Sequence, residues 1–157
     1  MATVNDTYAF LNEIAPVRYQ MDFDNAGFLA GDGGTAVKKT LLALDITDDV
    51  IAEAVELRAQ LIVSHHPLIF TPLRRATTDD LTGRKVLVLA RHGISAICMH
   101  TNLDAADGGV NDCLAKKLGL NDVFLLNDEK IGRIGTLSCE KGLEEFLRDV
   151  IELLGCG

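Results

Sequence analysis

Two short stretches of this chain carry the residue types that metal and acid–base chemistry need. In the first, Leu61-Ile62-Val63-Ser64-His65-His66-Pro67, an apolar run ends in two adjacent histidines and a proline. In the second, Ile94-Ser95-Ala96-Ile97-Cys98-Met99-His100-Thr101-Asn102-Leu103-Asp104, another apolar run ends in a histidine and, a turn later, an aspartate. Neutral imidazole is the commonest metal ligand, and carboxylates join it in catalytic metal sites. Adjacent side chains on extended backbone diverge, so His65 and His66 are expected to aim at different points and to serve two neighbouring ions, one each. The competing reading is a pair of histidines that merely hydrogen-bond at a strand end.

Both runs have the length of buried strands, and Pro67 stops the first by withholding a ladder donor. A third run, Thr40 to Leu44, ends in Asp45 in the same manner, and Thr47-Asp48-Asp49 then caps a helix whose apolar stripe is Val50, Ile51, Ala54, Val55 and Leu57. Strand, helix, strand is a βαβ unit, which requires a parallel sheet with a right-handed crossover. In such sheets functional groups collect beyond the carboxyl ends of the strands, where all three clusters stand. The fold class expected is α/β, a mostly parallel sheet flanked by helices in three layers, and the pattern leaves room for an antiparallel edge strand.

The remaining elements frame this unit. Helical spacing runs from Thr3 to Ile14, from Thr78 to His92 with an early interruption at Gly83, from Val110 to Leu118, and from Leu143 to Leu154. The stretch from Met21 to Gly34 reads as an irregular loop, and Ile131 to Leu137 as a strand whose glycines suggest an edge or a bulge. His92, in the last turn of its helix, is read as structural. Arg74 and Arg75 leave the central strand in a loop, placed to capture phosphate or carboxylate. No G-x-x-x-x-G-K-[ST] pattern is present, which excludes a P-loop.

With 157 residues the chain is expected to be one domain, 1–157. Its net charge of −8 and lack of tryptophan argue against nucleic acid and anionic membranes as partners. Four scattered cysteines form no C-x-x-C pair, and the N-terminus has neither the basic region nor the apolar core of a signal peptide. A reducing, cytoplasmic location with free thiols is expected.

Four segments, Asp24-Asn25-Ala26-Gly27, Ala43-Leu44-Asp45-Ile46-Thr47, Ser64-His65-His66-Pro67-Leu68-Ile69-Phe70 and His100-Thr101-Asn102-Leu103-Asp104, together resemble the Nif-three-like family, also called the GTP cyclohydrolase I type 2 homologues. The likeness runs from the first helix to about Leu120 and continues more loosely through Gly132-Arg133-Ile134-Gly135 and the final helix. It implies an α/β subunit that holds two divalent metal ions and assembles into ring-shaped hexamers. His65 and His66 match metal ligands, each nearer one ion, and Asp104 matches a carboxylate ligand of the same site. His100 is implied either as a group that orients the metal ligands or as a proton-transfer, catalytic group, while Asn25 and Asp45 with Arg74 and Arg75 would contact the substrate.

The implied reaction is metal-dependent hydrolysis at the imidazole-ring carbon of guanine in GTP, or of a related phosphorylated small molecule. Imidazole with carboxylate suits zinc, iron or manganese. The alternative is a non-catalytic metal-binding oligomeric or regulatory protein. Family members run longer, and their C-terminal part supplies a histidine and a glutamate four residues apart; after His100 this sequence has no histidine. A form lacking that part, with an exposed edge or apolar patch that favours self-association, is expected.

Overall fold

The computed structural model describes residues 1–156, which fall into two compact units, Met1–Leu103 and a second that begins at Asp104. In the first unit, α1 (Val4–Ile14) is started by a capping box: Thr3 Oγ1 accepts the Asp6 N–H at 3.2 Å, and the Asp6 carboxylate accepts the Thr3 N–H at 2.8 Å. The strands are β1 (Gly27–Ala30), β2 (Thr40–Ala43), β3 (Leu61–Ser64) and β4 (Ser95–Cys98), in the order β1-β4-β3-β2. Three are parallel, with Leu61 opposite both Thr40 and Ser95, and β1 runs antiparallel on the edge beside β4.

Helices α2 (Asp48–Leu57) and α3 (Leu81–His92) pack on one face of this sheet. Ile51, Ala54, Ile62, Leu89 and Ile94 form the core there, and burying each of the larger side chains contributes about 1.5–3 kcal/mol. Near the other face, Leu11 and Ile14 of α1 line an apolar groove with Leu42 and Val63. The expected α/β sheet flanked by helices is therefore present.

Two expectations change. The stretch from Met21 to Gly34 is not all loop, because it contains β1, framed by Gly27 at φ +117° and Gly31 at φ +116°. A side chain on Gly31 would lie 2.2 Å from Ser95 Oγ, so the glycine that reads as a loop signal is what lets β1 lie against β4. Helix α3 begins at Leu81, not Thr78, because Asp80 takes the cap and accepts the Gly83 N–H at 2.6 Å. Gly83 does not interrupt the helix: a Cβ there would meet Thr77 N at 2.9 Å, so glycine admits the segment that crosses the first turn.

A short helix, α4 (Thr101–Ala105), carries the chain into the second unit, which contains α5 (Val110–Lys117), β5 (Asn121–Leu125), β6 (Arg133–Thr136) and α6 (Leu143–Leu154). Strands β5 and β6 form their own antiparallel pair, so the antiparallel edge strand of the larger sheet is β1 and not the glycine-containing β6. Helix α6 buries none of its residues, and Leu143, Leu147 and Ile151, on one face of it, are 73%, 50% and 49% exposed. Among the described residues no helix is long and apolar enough to cross a membrane.

Candidate metal centre

The carboxyl ends of the three parallel strands converge on one rim, and β1, running the other way, adds the residues that precede it. Pairing of Gly27 with Cys98 brings Asp24-Asn25-Ala26 beside the end of β4. At the end of β3 the extended backbone stops at Ser64, whose hydroxyl donates to the His66 carbonyl at 2.8 Å and closes a bend. On that bend His65 and His66 do not diverge as they would on a strand. Their ring centroids lie 5.1 Å apart, and the His100 ring, from the end of β4, lies 5.2 Å from His65 and 5.6 Å from His66. One ring nitrogen from each of the three lies within 4.8 Å of the others, and His65, His66 and His100 together fit a metal ion.

Each imidazole is held by its Nδ1. That of His65 lies 3.0 Å from the Met99 carbonyl, that of His66 lies 2.8 Å from Asp45 Oδ1, and that of His100 lies 2.8 Å from Asp24 Oδ1. A carbonyl or carboxylate oxygen only accepts, so each Nδ1 carries the hydrogen, and in the neutral ring Nε2 becomes the nitrogen with the lone pair. Carbonyl and carboxylate partners of this kind fix the tautomer and ring orientation of metal-binding histidines.

The partners differ in burial. Asp45 is 53% exposed, whereas the Asp24 side chain is fully buried. Burial pushes the Asp24 carboxyl up, but hydrogen bonds from the Thr101 hydroxyl, the His100 ring and the backbone N–H groups of Asn25 and Thr101 outweigh it and hold the group below the usual carboxylate range. Cys98, on the strand leading to His100, is pushed up to about 12 by burial and by the Asp24 charge.

Of the residues expected at the site, His65, His66 and His100 are gathered, and Asp45 supports His66. Asn25 has a mechanical role here: its amide donates to the Ile69 carbonyl at 2.6 Å, fastening the loop before β1 to the segment after the histidines. Arg74 and Arg75 line a cavity of about 840 Å³ along the segment from Pro67 to Thr82, together with Asp79, Asp80 and the ring of Phe70. Asp104 belongs to the second unit, where its carbonyl accepts the Asn111 amide at 3.0 Å. Asp24 and the Met99 carbonyl are the participants that the sequence reading did not assign. Asp24 stands in one of the four segments set out above, but its pairing with a residue more than seventy positions away leaves no local signal.

A "GTP cyclohydrolase 1 type 2 homolog" of Clostridium perfringens is 39% identical over 158 residues, which take in 97% of this chain and 60% of that protein. One of the same name from Bacillus subtilis is 39% identical over 147 residues, 92% of this chain and 39% of its own length. The chain thus spans less than two thirds of the length of these curated relatives. Among solved structures, a Staphylococcus aureus hypothetical protein superposes with a TM-score of 0.86 at 27% identity, covering 98% of this chain and 64% of its own. A Bacillus cereus protein described as related to NIF3 superposes with a TM-score of 0.74 at 36% identity, covering 80% and 34%. The sequence model of Duf34/NIF3 (NGG1p interacting factor 3) matches residues 2–157, and the chain belongs to that family.

Proposed function

We propose that this chain is the metal-binding part of a divalent-metal-dependent hydrolase that acts on GTP or a related phosphorylated small molecule. The observation that carries the reading is the group of three imidazoles whose Nδ1 atoms are all taken by acceptors. A divalent ion held there supplies Lewis-acid activation of water and of an electrophilic carbon. His65, His66 and His100 would supply the nitrogen donors. The naming of the curated relatives supports GTP as the substrate to try first, and Arg74 and Arg75 offer the planar donors that phosphates take. His100, read from the sequence as a proton-transfer group, shares the ligand group, which favours direct coordination by its ring.

The reading is tested by elemental analysis of the purified chain and by following GTP with zinc, iron or manganese added. Metal-dependent loss of GTP that stops with a chelator and falls at least about 100-fold in His65→Ala is expected, given the size of catalytic metal contributions. Bound metal without turnover would favour the second reading, a non-catalytic assembly protein. That reading has its own support in the second unit, where Phe124, Leu126 and Leu143 are 61%, 59% and 73% exposed and form surface that self-association, up to a hexamer, would cover. Light scattering with and without metal separates the two.

A further inference from the structure

We infer that the rings of Phe70 and Phe23 form a stacking platform for the base of a nucleotide whose phosphates Arg74 and Arg75 hold, so that the base and not the phosphate chain is turned toward the imidazoles. The inference rests on the proposed function and names the residues that would recognise its substrate.

Both rings are displayed by backbone that is fastened. Phe23 sits in a turn closed by the Asp24 N–H to the Met21 carbonyl at 2.9 Å, and the Met21 N–H is bound to Thr101 Oγ1 at 3.0 Å. Phe70 follows Leu68, which is buried in the core, and Ile69, whose carbonyl accepts the Asn25 amide at 2.6 Å. Yet Phe23 and Phe70 remain 64% and 49% exposed, with ring centroids 6.5 Å apart and planes inclined by 56°. Scattered exposed apolar side chains are ordinary; an adjoining pair displayed on pinned backbone is a surface for a ligand to cover. Rings tilted in this way cannot sandwich a flat ligand, so it must lie on one of them.

Phe70 offers that face, because its ring lines the cavity of about 840 Å³ that Arg74 and Arg75 share, a volume within the range of small-molecule sites. Among the described residues neither guanidinium has a partner, and both residues are exposed. Their loop is seated all the same: a Cβ on Gly83 would meet the Arg75 carbonyl oxygen and Ala76 Cα at 3.0 Å, so glycine is what lets this segment lie against α3. Of the two carboxylates in the cavity, Asp80 is turned to the α3 cap, where it accepts the Gly83 N–H at 2.6 Å, and Asp79 remains as an acceptor for the N–H groups of a base. Two planar, fork-shaped donors beside an aromatic face complement a phosphorylated ring better than a simple anion.

The order of these residues sets the direction of binding. Phe23 adjoins Asp24, which holds His100 at 2.8 Å, and Phe70 lies four residues after His66, whereas the arginines stand four and five residues beyond Phe70. A base on the platform has the imidazoles on one side, and its phosphates reach away on the other. That direction suits chemistry at a ring carbon and not transfer of phosphate.

The test measures binding of GTP and inorganic triphosphate to the whole chain by calorimetry, and of guanosine by ligand-observed NMR, all in EDTA so that metal plays no part. Phe70→Leu keeps apolar area and removes the flat ring; it is expected to weaken GTP and guanosine about tenfold or more, as loss of a stacked base does, and to spare triphosphate. Phe23→Leu should cost about threefold, since that ring meets the base only from the side. The Arg74→Ala/Arg75→Ala chain should show the reverse, losing at least about tenfold for GTP and triphosphate and nothing for guanosine. Co²⁺ uptake, followed by its visible absorption, should be alike in all of these chains. Wild-type affinity of Phe70→Leu for GTP and guanosine overturns the inference even if GTP is turned over, and so does a pair of phenylalanine variants that alters only self-association in light scattering. A wild-type chain that binds none of the three probes overturns the proposed function and the inference together. One that shows the whole binding pattern, takes up no Co²⁺ and leaves GTP intact overturns the hydrolase reading and upholds the platform.

Discussion

Asp24 with His100 in the first unit and Asp112 with Arg133 in the second join the same kinds of group and end differently. In the second unit the Arg133 guanidinium, 4% exposed, donates Nε–H to Asp112, one terminal nitrogen to the carbonyls of Lys130 and Gly132 at 2.9 and 3.0 Å, and the other to Ala106 at 3.4 Å. The second Asp112 oxygen accepts the Gly108 N–H at 2.6 Å. Nearly every donor there is used within the unit, so the network fixes a turn and α5 against β6. In the first unit the chain of bonds runs Thr101, Asp24, His100 and then stops at a ring nitrogen turned toward two other imidazoles. A closed polar network supports structure; one that ends on a ring nitrogen facing two other imidazoles belongs to a group that could hold a metal ion.

The largest expected effect concerns how well the Asp24 corner is sealed. With its thiol pushed up to about 12 by burial and the Asp24 charge, Cys98 should alkylate at pH 8 about 1000-fold more slowly than the exposed Cys113 of the second unit, because the thiolate is the reacting form. Mass spectrometry over a time course of iodoacetamide treatment measures both, and comparable rates would show that the corner is open to water. Next in size, Arg133→Met should cost the second unit about 3 kcal/mol, since it strands a carboxylate and three carbonyls. Loss of hydrogen-exchange protection should be confined to that unit, with Co²⁺ affinity unchanged; a fall in that affinity would erase the distinction between the two corners.

What the sequence made legible follows the range of the forces involved. His65, His66 and His100 stood out because each ends an apolar run, and strand ends are read from local pattern. The bend that unites the first two depends on one Ser64 hydroxyl bond, and extended backbone was the wrong starting geometry. Strand β1 was hidden because Gly27 and Gly31 carry the usual marks of a loop and are glycine for the sake of close packing. Strand β5 was hidden because all of its residues are exposed and Asp122 sits at φ +48°, so it lacks the alternation that marks a half-buried strand. Asp24 was quoted as part of a segment and given no role, because nothing near it in the chain shows what it holds.

Asn102 gives a smaller effect within the first unit. It is fully buried, its amide donates to the Ala15 carbonyl at the end of α1 at 2.7 Å, and its Oδ1 has no partner among the described residues. Asn102→Ala removes a useful donor together with an unsatisfied acceptor, so the two partly offset, and a loss of about 1–2 kcal/mol in urea unfolding is expected. A loss as large as that in Arg133→Met would mean that this amide, and not the aspartate–histidine pair, anchors the rim.

The smallest effect is the pH dependence of the closed network. Asp112 is held below the usual carboxylate range by the hydrogen bond from Arg133, then by the Gly108 N–H, against a smaller opposing push from burial. A carboxyl whose folded value lies below its unfolded one releases its proton more readily in the folded state. Its contribution is therefore complete above the unfolded value, near pH 3.9, and disappears as pH falls through the lower folded value. Asp6 and Asp24 shift in the same direction, so acid destabilisation of the wild type alone does not identify Asp112. The difference between wild type and Arg133→Met does: it should be constant from pH 7 to about pH 5 and shrink below about pH 4, as protonation removes the ion pair that the substitution has already removed. A difference that stays constant down to pH 2 would show that Arg133 acts through its three carbonyls and not through Asp112, and the second corner would then be no counterpart of the first.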